Sequence, residues 1–359
     1  MSVRERSALD LLRAMEEKRA SDIYLKAGSP PMYRIDGEVR PAEDHDPLTP
    51  VDAECLADQL MSGREKQRFA AEQSVDLAYS ASGVGRFRVN IYRQRGSVAI
   101  VARRVRQDVP TMSELHLPPV LDDLAMAPRG LILVTGPAGS GKSTTLAAMI
   151  DRRNEASRDH IVTIEDPIEF LHGDKMAIVS QREVSTDTPG FHDALRAALR
   201  QTPDVLLIGE MRDRESAEAA LYFAETGHLV LSTLHSMNAA QAVERMLAFF
   251  PPDHTQEVFH RLSLTIAGIV SQRLIPRSDG TGRVAALEIL TATPRIRELV
   301  KRGDIDGIKQ ALQTGRQEGM QTFDQALYEL ARAGLITEAD ALRYADSSND
   351  LKLRFKGLA

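Results

Sequence analysis

A glycine-rich segment in the middle of the chain has the residue types and spacing of a phosphate-binding loop. An apolar run at residues 131–134 leads straight into it, and the segment matches the pattern G-x-x-x-x-G-K-[ST]. Backbone N–H groups of such a loop surround phosphate oxygens at a helix N-terminus, its lysine reaches the β and γ phosphates, and its first hydroxyl can hold Mg²⁺. The sequence therefore predicts a site for ATP and Mg²⁺ formed by Gly136, Pro137, Ala138, Gly139, Ser140, Gly141, Lys142, Ser143 and Thr144.

Two glutamates follow apolar segments that come after this loop. Glu210 follows residues 205–208 after one glycine, the layout of a Walker B acid, which would hold Mg²⁺ or its water together with Ser143. Glu165 follows residues 161–164 and could accept the proton of an attacking water. Ligands of open parallel sheets bind beyond the carboxyl ends of the strands, which is where both acids lie. The alternative for each is a helix-capping or surface acid.

Two histidines, His228 and His235, flank a further apolar segment at residues 229–233. At this spacing they fall on opposite faces of a strand, so they are not expected to share a metal ion. Sensing of the γ-phosphate is the functional interpretation of the pair. The alternative is that each is an ordinary histidine at the end of a strand.

Seven arginines lie between residues 86 and 106. Apolar and polar side chains alternate in this stretch, which predicts a β-hairpin centred near Arg95. Its register brings Arg88 close to Arg103. Two arginines that converge from a separate domain could be supplied to a nucleotide across a subunit boundary. The alternative is a solvated basic face of the strands.

Short, wholly apolar segments separated by helical patterns must position these residues. Strands of this kind are buried on both faces, which predicts an α/β fold with a parallel sheet covered by helices. The four predicted strands are residues 131–134, 161–164, 205–208 and 229–233.

The 359 residues predict two domains, because a domain typically has about 150 residues. The first is a smaller α+β unit with an amphipathic helix over residues 8–18 and a second helix over residues 50–69. The last third is mostly amphipathic helix, with inward positions that include Phe323, Leu327 and Ala341. The predicted boundaries are an N-terminal domain at 1–106, a linker at 107–118, and an ATPase domain at 119–359 whose helical region starts near 294.

Charge and cysteine content limit the possible partners. The chain has 45 basic and 51 acidic residues, a net charge of −6, which argues against general nucleic-acid binding. Its one cysteine is typical of a reducing compartment and excludes a tetracysteine zinc module. A cytoplasmic location is therefore expected. No apolar run approaches the ~18 residues of a membrane span, so no membrane-spanning segment is expected.

The motifs resemble those of secretion-type ATPases, and specifically the type IV pilus retraction motors of the PilT and PilU group. The resemblance extends over nearly the whole chain. It rests on an Asp box at residues 163–170, the strand at 180–184, a Walker B segment at 203–213 and a His box at 225–235.

This resemblance implies an N-terminal PAS-like domain joined to a RecA-like ATPase domain, with six chains in a ring. It also implies the roles of individual residues. Glu165 is then the catalytic base, Glu210 the Walker B acid, His228 and His235 the His box, and Arg88 and Arg103 the fingers that reach a neighbouring chain's nucleotide.

The chain resembles the PilU branch more closely. Residues 295–301 depart from the pattern expected of PilT, whereas residues 325–347 look more like PilU. The resemblance therefore implies an ATP-hydrolysing accessory to a PilT-type ATPase in pilus retraction and twitching motility. The implied location is cytoplasmic and peripheral at the inner membrane, against a platform protein of the pilus machine.

Two alternatives remain open from the residues alone. A RecA-like DNA motor would share the phosphate loop and the sheet, although the acidic balance speaks against it. A ring subunit that binds nucleotide without turnover would share them too. The presence of both glutamates and both histidines disfavours this second alternative.

Overall fold

The computed structural model describes residues 7–35, 37–42 and 45–358. The chain divides into two compact units. The first consists of Met1–Asp108 with Glu169–Leu171, and the second of Val109–Ile168 with His172–Ala359. Among the described residues, none of the helices is both long and apolar enough to cross a membrane.

The N-terminal unit is built on a six-stranded antiparallel sheet with strand order β3-β2-β1-β6-β5-β4. Its elements are α1 (Ala8–Glu17), β1 (Asp22–Lys26), β2 (Met32–Ile35), β3 (Glu38–Pro41), α2 (Pro50–Leu60), α3 (Gly63–Glu72), β4 (Ser74–Ala81), β5 (Gly85–Gln94) and β6 (Ser97–Arg104). The helix predicted over residues 8–18 is confirmed as α1, and its four apolar positions are buried: Ala8, Leu11, Leu12 and Met15.

The single helix predicted over residues 50–69 is wrong, because the chain forms two helices there. Met61 is extended, with φ −94° and ψ 132°, and ends α2. Ser62 then caps α3, and its backbone N–H donates to Glu65 Oε2 at 2.5 Å. A serine followed three positions later by glutamate is a capping box, so this stretch contains a new helix start within an apolar pattern.

The predicted hairpin is confirmed as β5 and β6, with Arg88 directly opposite Arg103. Its turn is Arg95-Gly96, both in the left-handed region at φ 51° and 80°. On β5 the apolar side chains point into the core: Phe87, Val89 and Ile91. Arg88 and Arg103 therefore lie on the opposite face of this sheet.

The second unit contains a seven-stranded sheet with strand order β13-β12-β7-β11-β10-β8-β9. Neighbouring strands are parallel throughout except at the antiparallel β12–β13 pair. The elements up to the end of this sheet are α4 (Val120–Ala125), β7 (Gly130–Thr135), α5 (Lys142–Ala156), β8 (His160–Glu165), β9 (Ile178–Glu183), α6 (Phe191–Ala198), β10 (Val205–Ile208), α7 (Arg214–Glu225), β11 (Leu229–Leu234), α8 (Ala239–Ala248), α9 (Thr255–Thr265), β12 (Ile266–Pro276) and β13 (Arg283–Thr291).

The four predicted apolar strands are confirmed as β7, β8, β10 and β11, which lie side by side in the centre of the sheet. Every residue of β7, β10 and β11 is buried. Helices cover both faces of these strands with two separate apolar clusters. The predicted α/β fold is therefore confirmed.

Within the described residues five α-helices follow β13. They are α10 (Pro294–Arg302), α11 (Ile305–Thr314), α12 (Phe323–Arg332), α13 (Glu338–Tyr344) and α14 (Ser348–Phe355). The last three pack beside β12 and β13 around a smaller apolar cluster, whereas the buried apolar residues of the first two belong to a large cluster of the central sheet. The predicted inward positions Phe323, Leu327 and Ala341 are each fully buried. This agrees with the helical region expected from residue 294.

Candidate active site

The phosphate-loop segment connects β7 to the N-terminus of α5, as the motif requires. Gly141 caps this helix in the left-handed conformation, with φ 87°. A Cβ on Gly136 would lie 2.5 Å from the backbone oxygen of Gln272 and 2.6 Å from Ser140 Oγ. Only glycine fits at that position, so the backbone can curl tightly around an anion. The buried Ser140 Oγ has no hydrogen-bond partner among the described residues, which suits a polar ligand in the loop.

Lys142 is the first residue of α5, and its side chain is folded back over the loop. Its Nζ donates to the carbonyl oxygens of Gly136 and Pro137, each at 3.0 Å, and the residue is 9% exposed. The ammonium is therefore held against the loop backbone.

Gln272 on β12 supports the loop and was not found from the sequence. Its Nε2 donates to the Ser140 carbonyl at 2.6 Å, and its Oε1 accepts from Thr145 Oγ1 at 2.7 Å. The residue is 2% exposed. One amide thus ties the loop to the first turn of α5, and the only signal in the sequence is a polar residue within an apolar stretch.

Glu165 ends β8 and accepts hydrogen bonds from two neighbours. Thr163 Oγ1 donates to Glu165 Oε1 at 2.7 Å, and Gln181 Nε2 donates to the same oxygen at 3.1 Å. The carboxylate is half-buried. It is therefore oriented by donors on β8 and on the adjacent β9.

Glu210 lies just beyond β10 and is bracketed by two basic side chains. Arg212 Nε donates to Glu210 Oε2 at 2.8 Å, and His235 Nε2 lies 3.0 Å from Glu210 Oε1. The hydrogen bond that Arg212 donates to Glu210 raises the pKa of Arg212 above its usual range. Arg212 was not predicted as a site residue. The only signal in the sequence is that it follows Glu210 by two positions.

The registers of the parallel strands bring these groups to one edge of the sheet. Thr135, which precedes the loop, pairs with Leu234, which precedes His235. Ile208 pairs with Ser232 on one side and with Ile164, next to Glu165, on the other. The loop, both acids and His235 therefore all lie beyond the carboxyl ends of neighbouring strands.

His228 lies at the opposite edge of the sheet. Its Nδ1 is 3.0 Å from the Phe223 carbonyl oxygen, its ring packs edge-on against the Phe223 ring, and its own carbonyl accepts from Gly130 N. A six-residue strand is about 20 Å long, and that length separates His228 from the edge with the loop. Within one chain the expectation that both histidines reach the site is not met, because they flank the two ends of one strand.

The two predicted arginine fingers belong to the N-terminal unit. Arg103 Nε donates to Asp22 Oδ1 at 2.7 Å, and Asp22 is 2% exposed. This hydrogen bond raises the pKa of the Arg103 guanidinium. Asp22 is a further residue that the sequence did not identify, because its contact depends on the pairing of β1 with β6.

These features define a P-loop nucleotide site on a parallel α/β sheet, and the comparisons with known proteins identify the family. The family model described as type II/IV secretion system protein matches residues 10–348. The chain belongs to this family.

Two curated relatives and one solved structure show the closer relationship. The type IV pilus ATPase PilU of Pseudomonas aeruginosa is 47% identical over 346 residues, which are 96% of this chain and 90% of PilU. The type IV pilus retraction ATPase PilT of the same organism is 45% identical over 332 residues, which are 92% of this chain and 96% of PilT. The crystal structure of the pilus retraction motor PilT with bound ADP superposes with a TM-score of 0.89 at 44% identity, and covers 97% of this chain and 99% of that one. The predicted resemblance to the pilus retraction ATPases is confirmed.

Proposed function

We propose that the chain is a Mg²⁺-dependent ATPase, a subunit of a ring motor that drives type IV pilus retraction and thereby twitching motility. One observation carries the proposal: the phosphate loop, Glu210 and His235 lie at the same edge of the sheet. The chain that forms this site is similar to PilT and PilU. The crystal structure of PilT holds ADP, which supports a nucleotide at this loop.

The side chains present fit a nucleotide with Mg²⁺. Mg²⁺ is usually bound by one or two protein oxygens together with substrate phosphates, and it neutralises the charge on those phosphates. Ser143 and Glu210 supply such oxygens, whereas the described residues contain no cluster of three or more His, Cys, Asp or Glu arranged around a metal ion. Lys142 faces the β and γ phosphates, and Glu165 accepts the proton of the attacking water.

The arginines Arg88 and Arg103 complete the site of another chain in this proposal. They lie opposite each other on the sheet face that points away from the core, where Arg88 is half-buried and the Arg103 side chain is 64% exposed. Positive charge supplied from a neighbouring subunit stabilises the charge of phosphoryl transfer. The ring therefore has complete sites only when chains associate, and we propose a hexamer in which domain 1–106 of one chain faces domain 119–359 of the next.

We further propose that the motor is accessory, working beside a PilT-type ATPase against a platform protein at the cytoplasmic side of the inner membrane. The segment that departs from the PilT pattern forms α10, where Ile296 and Val300 are buried but Arg295 and Glu298 are exposed. Changes at exposed positions alter a docking surface without touching the nucleotide site.

Steady-state hydrolysis by the purified chain tests the activity, with Lys142→Ala as the inactive control. Mg²⁺-dependent release of phosphate from ATP that is lost in Lys142→Ala is the expected result. Equal rates in the two proteins, or turnover that requires added DNA, would overturn the proposal.

A strain that carries this chain as its one retraction motor tests the accessory role. We expect rare or weak retraction that recovers when a PilT-type partner is restored. Wild-type frequency and force in the single-motor strain would refute the accessory role and leave the ATPase assignment standing.

A further inference from the structure

Gln181 on β9 shares a carboxylate with a residue of the neighbouring strand. It is the register partner of Thr163 on β8, so both side chains lie on the same face of the parallel pair. Both donate to Glu165 Oε1, Thr163 Oγ1 at 2.7 Å and Gln181 Nε2 at 3.1 Å. Two donors from two strands fix the orientation of one carboxylate.

The orientation of the Gln181 amide is itself determined by its other partner. Its Oε1 accepts from the backbone N–H of His172 at 2.8 Å. A backbone N–H can only donate, so the amide oxygen must face His172 and the NH₂ group must face Glu165. The amide therefore presents a donor to the carboxylate and cannot present an acceptor without losing its bond to His172.

His172 lies at a change between the two units along the chain. It is the first residue after Glu169–Leu171, which belong to the N-terminal unit, and within that unit Leu171 N donates to the Arg106 carbonyl at 2.9 Å. Gln181 thus anchors Glu165 to the backbone at the position where the chain re-enters the ATPase unit.

We propose that Gln181 is a positioning residue for hydrolysis, which holds the Glu165 carboxylate in the orientation needed to accept a proton from water. This inference rests on the proposed role of Glu165 as the base. A base must lie within hydrogen-bond reach of the proton that it accepts, and a displacement of 1 Å can cost about 100-fold in rate. Gln181 contributes through Glu165 and need not touch the nucleotide.

Gln181→Met tests the inference, because methionine has a similar length but neither donates to Glu165 nor accepts from His172. We expect kcat for ATP to fall roughly 10- to 100-fold, with KM within about twofold of wild type. The acidic limb of the kcat–pH profile should move to higher pH, because an ionised carboxylate that loses a donor is easier to protonate. A purely structural role would lower stability without moving this limb.

Ser180→Ala is the matched control on the same strand. Its side chain points to the opposite face of β9 from Gln181, and its hydroxyl lies 3.0 Å from His160 Nε2, so kcat and the pH profile should stay at wild type. If Gln181→Met does not fold, Gln181→Glu replaces it, since glutamate keeps an acceptor for His172 N–H and loses the donor to Glu165. Wild-type kcat and an unmoved acidic limb in the folded variant would overturn the inference.

Glu165→Gln separates this inference from the proposed function. Loss of turnover in Glu165→Gln with normal turnover in the Gln181 variant refutes only the positioning role. Full turnover in Glu165→Gln refutes the assignment of the base, and the positioning role with it.

Discussion

His235 Nε2 lies 3.0 Å from Glu210 Oε1, so the histidine after β11 and the acid after β10 form one unit at the carboxyl edge of the sheet. Arg212 Nε holds the other carboxylate oxygen at 2.8 Å. The acid proposed to order Mg²⁺ is therefore oriented by two basic neighbours.

This pairing predicts different effects for the two histidines. His235→Ala should lower kcat by about 10- to 100-fold and raise the Mg²⁺ concentration for half-maximal rate, because removal of a residue that orients a metal ligand has effects of that size. His228→Ala is the matched control at the opposite edge of the sheet, and its kcat should stay near wild type. A loss of kcat in His228→Ala as large as in His235→Ala would contradict the assignment of the site within one chain.

The lysine and the Walker B acid should separate binding from turnover. Lys142→Ala should abolish nucleotide binding, because the loop loses the charge that lies against its Gly136 and Pro137 carbonyls. Glu210→Ala should bind nucleotide and fail to hydrolyse it. Titration with a fluorescent ATP analogue measures both, and wild-type affinity in Lys142→Ala would show that the loop is wrongly assigned.

The arginines should act between chains. An arginine supplied to a nucleotide by a partner is worth about 10³- to 10⁵-fold in rate, so Arg88→Ala and Arg103→Ala should depress kcat and leave affinity nearly intact. Mixing Arg88→Ala chains with Glu165→Ala chains should restore part of the activity, because some interfaces then combine the two intact surfaces. If activity stays absent at every mixing ratio after subunit exchange has been demonstrated, the shared site is wrong.

The parts of the fold that were predicted are those with a local signal. The central strands are uninterrupted apolar runs, and the phosphate loop follows one of them directly. β12 was missed because α9 passes into it between Thr265 and Ile266 with no glycine or proline, and because Ser271, Gln272 and Arg273 interrupt its apolar pattern. β4 was also missed, although Val75 and Leu77 alternate with exposed residues as expected of an edge strand with one buried face.

The site residues also differ in whether the sequence gives a local signal for them. Loop residues and the glutamates after strands are recognisable along the chain, since each follows an apolar segment. Asp22, Gln181 and Gln272 act through partners far away in sequence, and their contacts exist only once strands pair. The positions of His228 and His235 also have a local signal, because the two residues flank one apolar segment and therefore lie at opposite ends of its strand.

The buried carboxyl of Glu288 on β13 should make the stability of the protein depend on pH. Its Oε1 accepts from Ala239 N, the first residue of α8, at 2.7 Å, and the residue is 8% exposed. Burial raises the pKa of this carboxyl from 4.5 to about 7, against the opposing effect of the Ala239 hydrogen bond. The folded protein therefore binds more protons than the unfolded chain between about pH 4.5 and 7, and stability falls as pH rises through that window.

Glu288→Gln removes the charge and keeps an acceptor for Ala239 N–H. We expect the free energy of unfolding of the variant to increase relative to that of wild type as pH rises from 5 to 8. The increase is at most ~3 kcal/mol, because each unit of pKa shift corresponds to about 1.36 kcal/mol. Urea unfolding at several pH values measures this difference. Asp279→Asn is the control, because backbone and side-chain hydrogen bonds from Thr281 lower the pKa of Asp279 to about 2, outside the window. A Glu288→Gln advantage that is the same at pH 5 and pH 8 would show that the carboxyl does not titrate in this range.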